Sequence, residues 1–298
     1  KGPSLYNPRR NPNNATKRRN LVLGVLNRSN KISDSQLEAL RSKELGIAPP
    51  NYRTETKHPA FHDIVRLELQ KNFDERELRT QGLAIETNLD PVLQEALERS
   101  LSETKTQLIK KYGSKLSELE GAAIAVDITN GEVRAVVGST QPYSYGFNRS
   151  INAIRPIGSL VKPFIYLTAL NQYEDYTLTT ILDDSKFSMV SGGKIWEPDN
   201  FDKKFHGQIP LHVALWQSYN IASARLGLDI GFEAVEEMFS NLGIQKEVPN
   251  YPSLFIGSFE LSPYQAIQAY QTIAADGFYS PLRSITVSYT HLRAHETV

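Results

Sequence analysis

The sequence predicts an α+β fold in which an antiparallel sheet packs against helices. Two apolar segments, 122–128 and 132–138, flank Asn130-Gly131, a dipeptide typical of a tight hairpin turn. An apolar helix follows these paired strands and begins near Ser159. Its apolar residues recur at helical spacing: Leu160, Phe164, Leu167 and Leu170.

Helices and one strand are predicted before this hairpin. The helices are 16–29, a second one capped by Ser33 or Asp34, 59–73, and 90–112, and the strand is 83–87. Asp90 followed by Pro91 is a strong start signal, because the aspartate accepts from free N–H groups and the proline needs no partner there. A glycine at position 113 ends the same helix.

Short strands and turns are predicted over 175–210, with a hairpin turn at 191–194 (Ser-Gly-Gly-Lys). Four further helices are predicted at 211–216, 221–228, 231–242 and 262–275. The last of them begins with Ser262-Pro263, a cap followed by a first-turn proline.

The composition is that of an ordinary globular protein, with 298 residues of which 40% are hydrophobic and 22% charged. A formal net charge of +0 gives no reason to expect nucleic acid as a partner. Residues 1–20 carry only basic charges, interpreted as a solvated segment or a contact with anionic lipid or phosphate. Without cysteines, the chain fits a reducing compartment or an exported protein that uses no disulfides.

Ser159 and Lys162 are the first candidates for chemistry. Three residues apart on a helix, they lie on one face, and the rest of that face is apolar. Desolvation lowers the pKa of a lysine, so its free amine becomes able to accept a proton. A serine at a helix N-terminus also lies where the helix dipole stabilises a developing oxyanion. Nucleophile and base are thus available within one turn.

The pattern Ser-x-x-Lys is weak evidence by itself, because the chain contains it three times. Ser102 and Lys105 lie on a highly charged amphipathic segment and are interpreted as part of a solvated face. Ser191 and Lys194 flank the predicted hairpin turn. Only Ser159 opens an apolar helix after a proline and a glycine, so only this copy is retained.

A second constellation, 218–220 (Ser-Tyr-Asn), lies between two predicted helices. It is also weak alone, because 150–152 has the same pattern and because Ser218 is equally suited to cap a helix. Chemically, a second hydroxyl can relay a proton, and a carboxamide can hold a substrate amide. These properties make Ser218 and Asn220 candidate site residues beside Ser159 and Lys162.

A Ser-x-x-Lys at a helix tip and a later Ser-x-Asn belong to a trio known from class A β-lactamases and penicillin-binding proteins, completed by Lys-Thr-Gly on a strand. The chain resembles the bifunctional class A penicillin-binding proteins of Gram-negative bacteria, most closely the 1b branch. The segments that carry the resemblance are 1–8, 18–23, 155–163, 200–220 and 261–277.

The resemblance implies a penicillin-binding or serine β-lactamase-like transpeptidase domain at 83–286, incomplete at its C-terminus because Lys-Thr-Gly is absent. A helical remnant of a glycosyltransferase domain would occupy 1–46, and a linker with a helical connection 47–82. Residues 287–298 do not continue the family pattern and are interpreted as a non-native tail.

The resemblance also implies a reaction. Ser159 would attack the D-Ala–D-Ala carbonyl of a peptidoglycan stem peptide, with Lys162 as its base. Ser218 would relay a proton, and Asn220 would hold the donor peptide. An amine of a neighbouring stem would then take the acyl group, and penicillins would acylate Ser159 as mimics of the dipeptide.

Further expectations follow from the resemblance. The parent protein would also polymerise glycan strands from a lipid-linked precursor, bind β-lactam antibiotics and contact cell-wall synthesis regulators. It would lie in the bacterial inner membrane with its catalytic part in the periplasm. Transpeptidation would need no cofactor, and a divalent metal would belong to the glycosyltransferase part. The 298 residues alone are expected to be inactive or poorly active.

Two alternatives stay open. A serine β-lactamase shares both motifs, but it needs a carboxylate that activates water, and no clear motif after Ser218 supplies one. A non-catalytic module could instead bind cell-wall proteins through the helical segment before Leu83 and the charged helix that begins at Asp90. A Ser-His-Asp hydrolase is disfavoured because Gly-x-Ser-x-Gly is absent. The histidines considered for it are interpreted as surface or packing residues: His58, His62, His206 and His212.

Overall fold

The computed structural model describes residues 5–47, 57–80, 84–141 and 146–289. The chain divides into two compact units, 1–56 and 57–298, and each is described by itself. Residues 1–4, residues 48–56 and 81–82 of the predicted linker, residue 83 and residues 290–298 of the predicted tail lie outside the described residues. The domain boundaries inferred from the sequence stay predictions.

The first unit contains two helices, α1 (Pro12–Arg28) and α2 (Asp34–Ser42). Ser33 is confirmed as the cap of α2, because its hydroxyl accepts from the Gln36 N–H while the Gln36 side chain accepts from the Ser33 N–H. The Arg19 guanidinium donates to carbonyls at the end of α2 and joins the two helices.

Most helices of the second unit match a predicted one, but those at Glu75–Thr80 and Arg149–Asn152 were not predicted, and the helix expected to begin near Ser159 becomes α-helical only at Lys162. The helices are α3 (Pro59–Leu69), α4 (Glu75–Thr80), α5 (Pro91–Tyr112), α6 (Arg149–Asn152), α7 (Lys162–Asn171), α8 (Leu211–Trp216), α9 (Asn220–Ile230), α10 (Phe232–Asn241) and α11 (Pro263–Ala274). Single 3-10 turns occur at Ser114–Leu116, Gly158–Val161 and Pro252–Ile256. The Asp90 carboxylate accepts from two N–H groups of the first turn of α5, as its sequence position predicts.

The strands of the second unit pair in twos. They are β1 (Ala84–Thr87), β2 (Ala123–Val126), β3 (Val133–Val137), β4 (Arg155–Pro156), β5 (Ile181–Asp183), β6 (Met189–Ser191), β7 (Lys194–Trp196), β8 (Gln208–Pro210), β9 (Glu260–Leu261) and β10 (Ile285–Tyr289). Within the described ranges they form five antiparallel pairs: β1–β10, β2–β3, β4–β9, β5–β8 and β6–β7. Both predicted hairpins, β2–β3 and β6–β7, are confirmed.

The larger core surrounds α7. Phe164 and Ile165 on this helix are fully buried and pack with Phe239 from α10 and Leu226 from α9. A smaller core joins α3 to β3 through residues such as Phe61 and Val136, and no atom of these side chains is appreciably exposed. Because α9 and α10 pack tightly against α7, its first residue, Lys162, has little freedom to move.

The segment before α7 is fixed by a close backbone approach. The Gly158 N–H donates to the Gly257 carbonyl at 2.9 Å, and the Ile157 N–H donates to the Phe259 carbonyl at 2.9 Å. Gly257 has a φ of 101°, and a Cβ built on it would lie 2.0 Å from the Gly158 oxygen. Only glycine fits this contact, which sets the position of the turn that carries Ser159.

Candidate active site

Lys162 is almost fully buried at the centre of the site. It is the first residue of α7 and is 1% exposed, in accord with the desolvation predicted from its apolar face. Its Nζ donates to the Ser218 carbonyl at 2.5 Å, to the Ser218 hydroxyl at 3.1 Å and to Asn220 Oδ1 at 2.7 Å. These three bonds use every proton of the ammonium form.

Burial lowers the pKa of Lys162 to about 8, while the negative charge of the nearby Asp184 opposes this shift. The direction is the one predicted from the sequence, because an apolar environment disfavours the charged form of an amine. At pH 7 about a tenth of the molecules then carry a free amine at Lys162. An ordinary exposed lysine would be almost fully protonated there.

Ser159 lies in the 3-10 turn Gly158–Val161, which leads directly into α7. Its side chain is exposed, three residues before Lys162, and makes no hydrogen bond with any residue that the structure describes. The hydroxyl is therefore open to an incoming substrate from solvent. The neighbouring backbone is anchored by Tyr270, whose hydroxyl donates to the Leu160 carbonyl at 2.9 Å.

Ser218 and Asn220 meet the lysine from the opposite side. Ser218 follows α8 with a φ of 56°, a left-handed conformation that is uncommon for residues other than glycine. Asn220 opens α9; besides accepting from Lys162, it donates through Nδ2 to the Asp199 carbonyl at 2.8 Å. The structure thus brings Lys162, Ser218 and Asn220 into direct contact, with Ser159 one turn away.

The alternative interpretation of Ser218 as a helix cap is wrong in this structure. The cap position of α9 is Tyr219, and its side chain makes no capping hydrogen bond. Instead, Asn200 Oδ1 accepts from the N–H groups of Asn220 at 2.7 Å and Ile221 at 3.2 Å. Asp184 Oδ1 accepts from the Ala222 N–H at 3.0 Å. Two distant side chains therefore replace the local cap.

Sequence reasoning missed Asp184, a carboxylate that lies close to the loop 218–220. Asp184 is fully buried, and its Oδ2 accepts from Asn200 Nδ2 at 2.6 Å and from His206 Nδ1 at 2.7 Å. The His206 ring stacks on Tyr219 with centroids 4.0 Å apart. His206 does pack, as predicted, but it also bonds to a buried carboxylate. Only Asn200 carried a signal, through the family resemblance.

The other copies of the two motifs have ordinary structural partners. Lys105, interpreted from the sequence as solvated, is partly buried and donates to the Thr140 hydroxyl at 3.1 Å. Ser191 and Lys194 face each other across the β6–β7 hairpin, where Lys194 is exposed. In the second Ser-x-Asn copy, the buried Ser150 hydroxyl donates to Asn148. None of these copies reproduces the contacts of Lys162.

A protein-family model, the penicillin binding protein transpeptidase domain, matches residues 121–297. The chain belongs to this family. This agrees with the resemblance inferred from the motifs and with the α+β fold class.

Individual relatives agree with the class A assignment. The chain is 38% identical to penicillin-binding protein 1B of Vibrio cholerae over 96% of its own length and 36% of that protein. It is also 38% identical to penicillin-binding protein 1B of Escherichia coli, over 96% of this chain and 34% of the relative. The chain thus spans about a third of the length of these curated relatives. This similarity agrees with the resemblance to the 1b branch inferred from the motifs.

A solved structure shows the same fold. Penicillin-binding protein 1A from Haemophilus influenzae superposes with a TM-score of 0.70 and 19% sequence identity, covering 97% of this chain and 56% of that one. None of the helices in the described part of the chain is long and apolar enough to cross a membrane.

Proposed function

We propose that this chain carries the acyl-serine site of a peptidoglycan cross-linking D,D-transpeptidase. One observation supports the proposal most strongly: the buried Lys162 amine is bonded to both Ser218 and Asn220 at the end of the helix that Ser159 precedes. Its lowered pKa suits a general base. Membership of the transpeptidase family supports the same reaction.

In the proposed reaction, the free amine of Lys162 takes the Ser159 proton as the Ser159 oxygen attacks the D-Ala–D-Ala carbonyl. The tetrahedral intermediate collapses when the bond to the terminal D-alanine breaks. The proton held by Lys162 passes through the Ser218 hydroxyl to the departing amine. An ester between Ser159 and the stem peptide remains.

The second half of the reaction reverses these proton transfers. The amine of a neighbouring stem attacks the ester carbonyl and loses a proton, and the Ser159 oxygen regains one as it leaves. Asn220 holds the donor peptide, for which its carboxamide can use a second lone pair on Oδ1 or the second proton on Nδ2. A penicillin follows the first half only and leaves a stable adduct.

The parent protein is proposed to extend beyond this reaction. By similarity to the 1B proteins, it would also polymerise glycan strands from a lipid-linked precursor, in the bacterial inner membrane with its catalytic part in the periplasm. Cell-wall synthesis regulators would be its protein partners. The proposed cross-linking uses side chains alone as nucleophile, base and relay, so it needs no cofactor; a divalent metal would belong to the glycan-polymerising part.

The test uses the protein encoded by the whole gene, incubated with a fluorescent penicillin and analysed by intact mass. We expect a stable adduct on the wild type and none on Ser159→Ala. The matched control is Ser191→Ala, from the hairpin copy of the motif, which should keep the adduct. A folded wild type without an adduct would contradict the proposal, and rapid release of hydrolysed penicillin would favour a β-lactamase.

A further inference from the structure

We propose that Asp184 is a positioning residue of this site, acting through Asn200, His206 and the first turn of α9 to hold Ser218 and Asn220 against Lys162. The reaction it would serve rests on the proposed function. The positioning itself rests on contacts among described residues.

Asp184 is well placed for this role because it is fully buried and both of its carboxylate oxygens accept hydrogen bonds. It directly follows β5, and both carboxylate oxygens are occupied: Oδ1 by the Ala222 N–H, and Oδ2 by Asn200 and by the backbone and ring nitrogens of His206. A buried carboxylate held in this way fixes the orientation of each donor around it.

The first consequence concerns α9. A helix leaves its first N–H groups without internal partners, and here they meet the oxygens of Asp184 and Asn200 instead of a local cap. Asn200 is itself 2% exposed and is oriented by its donation to Asp184. Asp184 and Asn200 therefore fix the position of the first turn of α9, which includes Asn220.

His206 provides a second connection between Asp184 and the loop 218–220. Its Nδ1 bonds to Asp184, its Nε2 lies 3.1 Å from Asp202, and its ring stacks on Tyr219 at an angle of 17°. Tyr219 lies between Ser218 and Asn220. The loop is therefore fixed both at the start of α9, by Asn200, and at Tyr219, by His206. Both neighbours of Tyr219 are acceptors for the Lys162 amine.

Asp184 also acts on Lys162 by charge. Its carboxylate raises the pKa of the amine against the effect of burial. The other titratable groups that face this carboxylate are His206, which also meets Asp202, and Tyr166 from α7. Removing the negative charge would weaken the opposition to desolvation of Lys162, so the amine would lose its proton at lower pH.

The test titrates Lys162 directly in the 298-residue chain, by 15N spectra of labelled lysine side chains, assigned by the signal lost in Lys162→Met. We expect Asp184→Asn to lower the titration midpoint by about one pH unit. The matched control is Asp183→Asn, which removes the neighbouring carboxylate that pairs with Arg225 and should leave the midpoint unchanged. Because loss of the Asp184 charge alone would lower this midpoint, the positioning role is tested by a second variant that keeps the charge.

A second variant keeps the proposal testable if Asp184→Asn does not fold. Asn200→Ala retains the charge but releases Asn220, so the ammonium loses its fixed acceptor and the midpoint also falls. In the full-length protein, both variants should acylate with penicillin at least about tenfold more slowly at pH 7, because misplacement of Ser218 and Asn220 outweighs the gain in free amine. An unchanged midpoint in a folded variant would overturn the proposal. Because the titration needs no penicillin, it remains decisive even if the transpeptidase assignment fails.

Discussion

Lys162 shows how burial and hydrogen bonding oppose each other at a single residue. Burial disfavours the charged amine, whereas three acceptors and the charge of Asp184 favour it. The balance leaves the pKa at about 8, far below that of a free lysine but above neutrality. The ammonium thus holds the loop together at rest, and a minority of free amine is available for chemistry.

This balance predicts the pH dependence of acylation in the full-length protein. Because the pKa of Lys162 is lowered to about 8, the free amine increases as pH rises through that value, and the rate should increase with it. The measurement is the rate of penicillin acylation between pH 6 and 9, with a midpoint expected near 8.

The control for this prediction is Lys162→Arg. A guanidinium keeps its proton over the whole range, so the variant should react about 10²–10⁴-fold more slowly, without a rise. Lys194→Arg, in the exposed hairpin copy, should behave as the wild type. A wild-type rate that falls between pH 7 and 9 would contradict the role of Lys162 as base.

The residue pairs of the site differ in how far the sequence could predict them. Ser159 and Lys162 are three positions apart, in a 3-10 turn that continues directly into α7, so local helical geometry relates them. Ser218 and Asn220 were named through the motif pattern and the resemblance, because nothing local says which helix they face. Asp184 could not be found this way, since its partners lie 16 to 38 positions away in irregular segments.

At the scale of elements, end signals and turn residues carried most of the prediction. Asp90 and Ser262 cap their helices as expected, and the Asn-Gly and Gly-Gly turns form the expected hairpins. The pairings β1–β10 and β4–β9 join strands that are distant in the sequence, so no local pattern reveals them. The predicted sheet is accordingly found as separate pairs.

The contact between Gly158 and Gly257 supports a prediction at this scale. In Gly257→Ala the new Cβ would lie 2.0 Å from the Gly158 oxygen, and the φ of 101° is strained for alanine. We expect destabilisation of about 2–5 kcal/mol, measured by denaturant unfolding, and slower acylation because the Ser159 turn must shift.

The matched control for this variant is Gly231→Ala. Gly231 has a φ of 85°, but a Cβ there would meet nothing within 4 Å. This substitution should cost only the conformational strain, about 1–2 kcal/mol, and leave acylation unchanged. Equal losses of stability and equal acylation rates in the two variants would contradict a special role for the Gly158–Gly257 contact.

At the scale of the whole molecule, the site and its supports lie within the second compact unit, 57–298. The buried core around α7, the remote cap of α9 and the Asp184 network all belong to the residues between 155 and 270. The base is therefore set by contacts that this part of the chain supplies itself. Reactivity has an additional requirement, because an acyl transfer also needs donors for the oxyanion.

The need for oxyanion donors as well as a base leads to a prediction about the 298-residue chain. The family's third motif, Lys-Thr-Gly on a strand that walls the site, does not occur in the sequence. Among the described residues, the five pairs share no strand, and one isolated bridge between Glu132 and Arg283 connects the β2–β3 hairpin to the segment before β10. Loss of an oxyanion donor commonly slows acyl transfer by about 10²–10³. We expect penicillin to acylate the chain more slowly than the full-length protein by about that factor.

Comparison of the 298-residue chain with the full-length protein also distinguishes loss of the oxyanion donors from misfolding of the site. Lys162 should titrate near pH 8 in the chain and in the full-length protein alike, because the contacts that set its pKa lie among residues present in both. Slow acylation with an unchanged titration would thus locate the deficit in the oxyanion donors. Equal acylation rates in the two proteins would show that the missing motif is dispensable for the first half of the reaction.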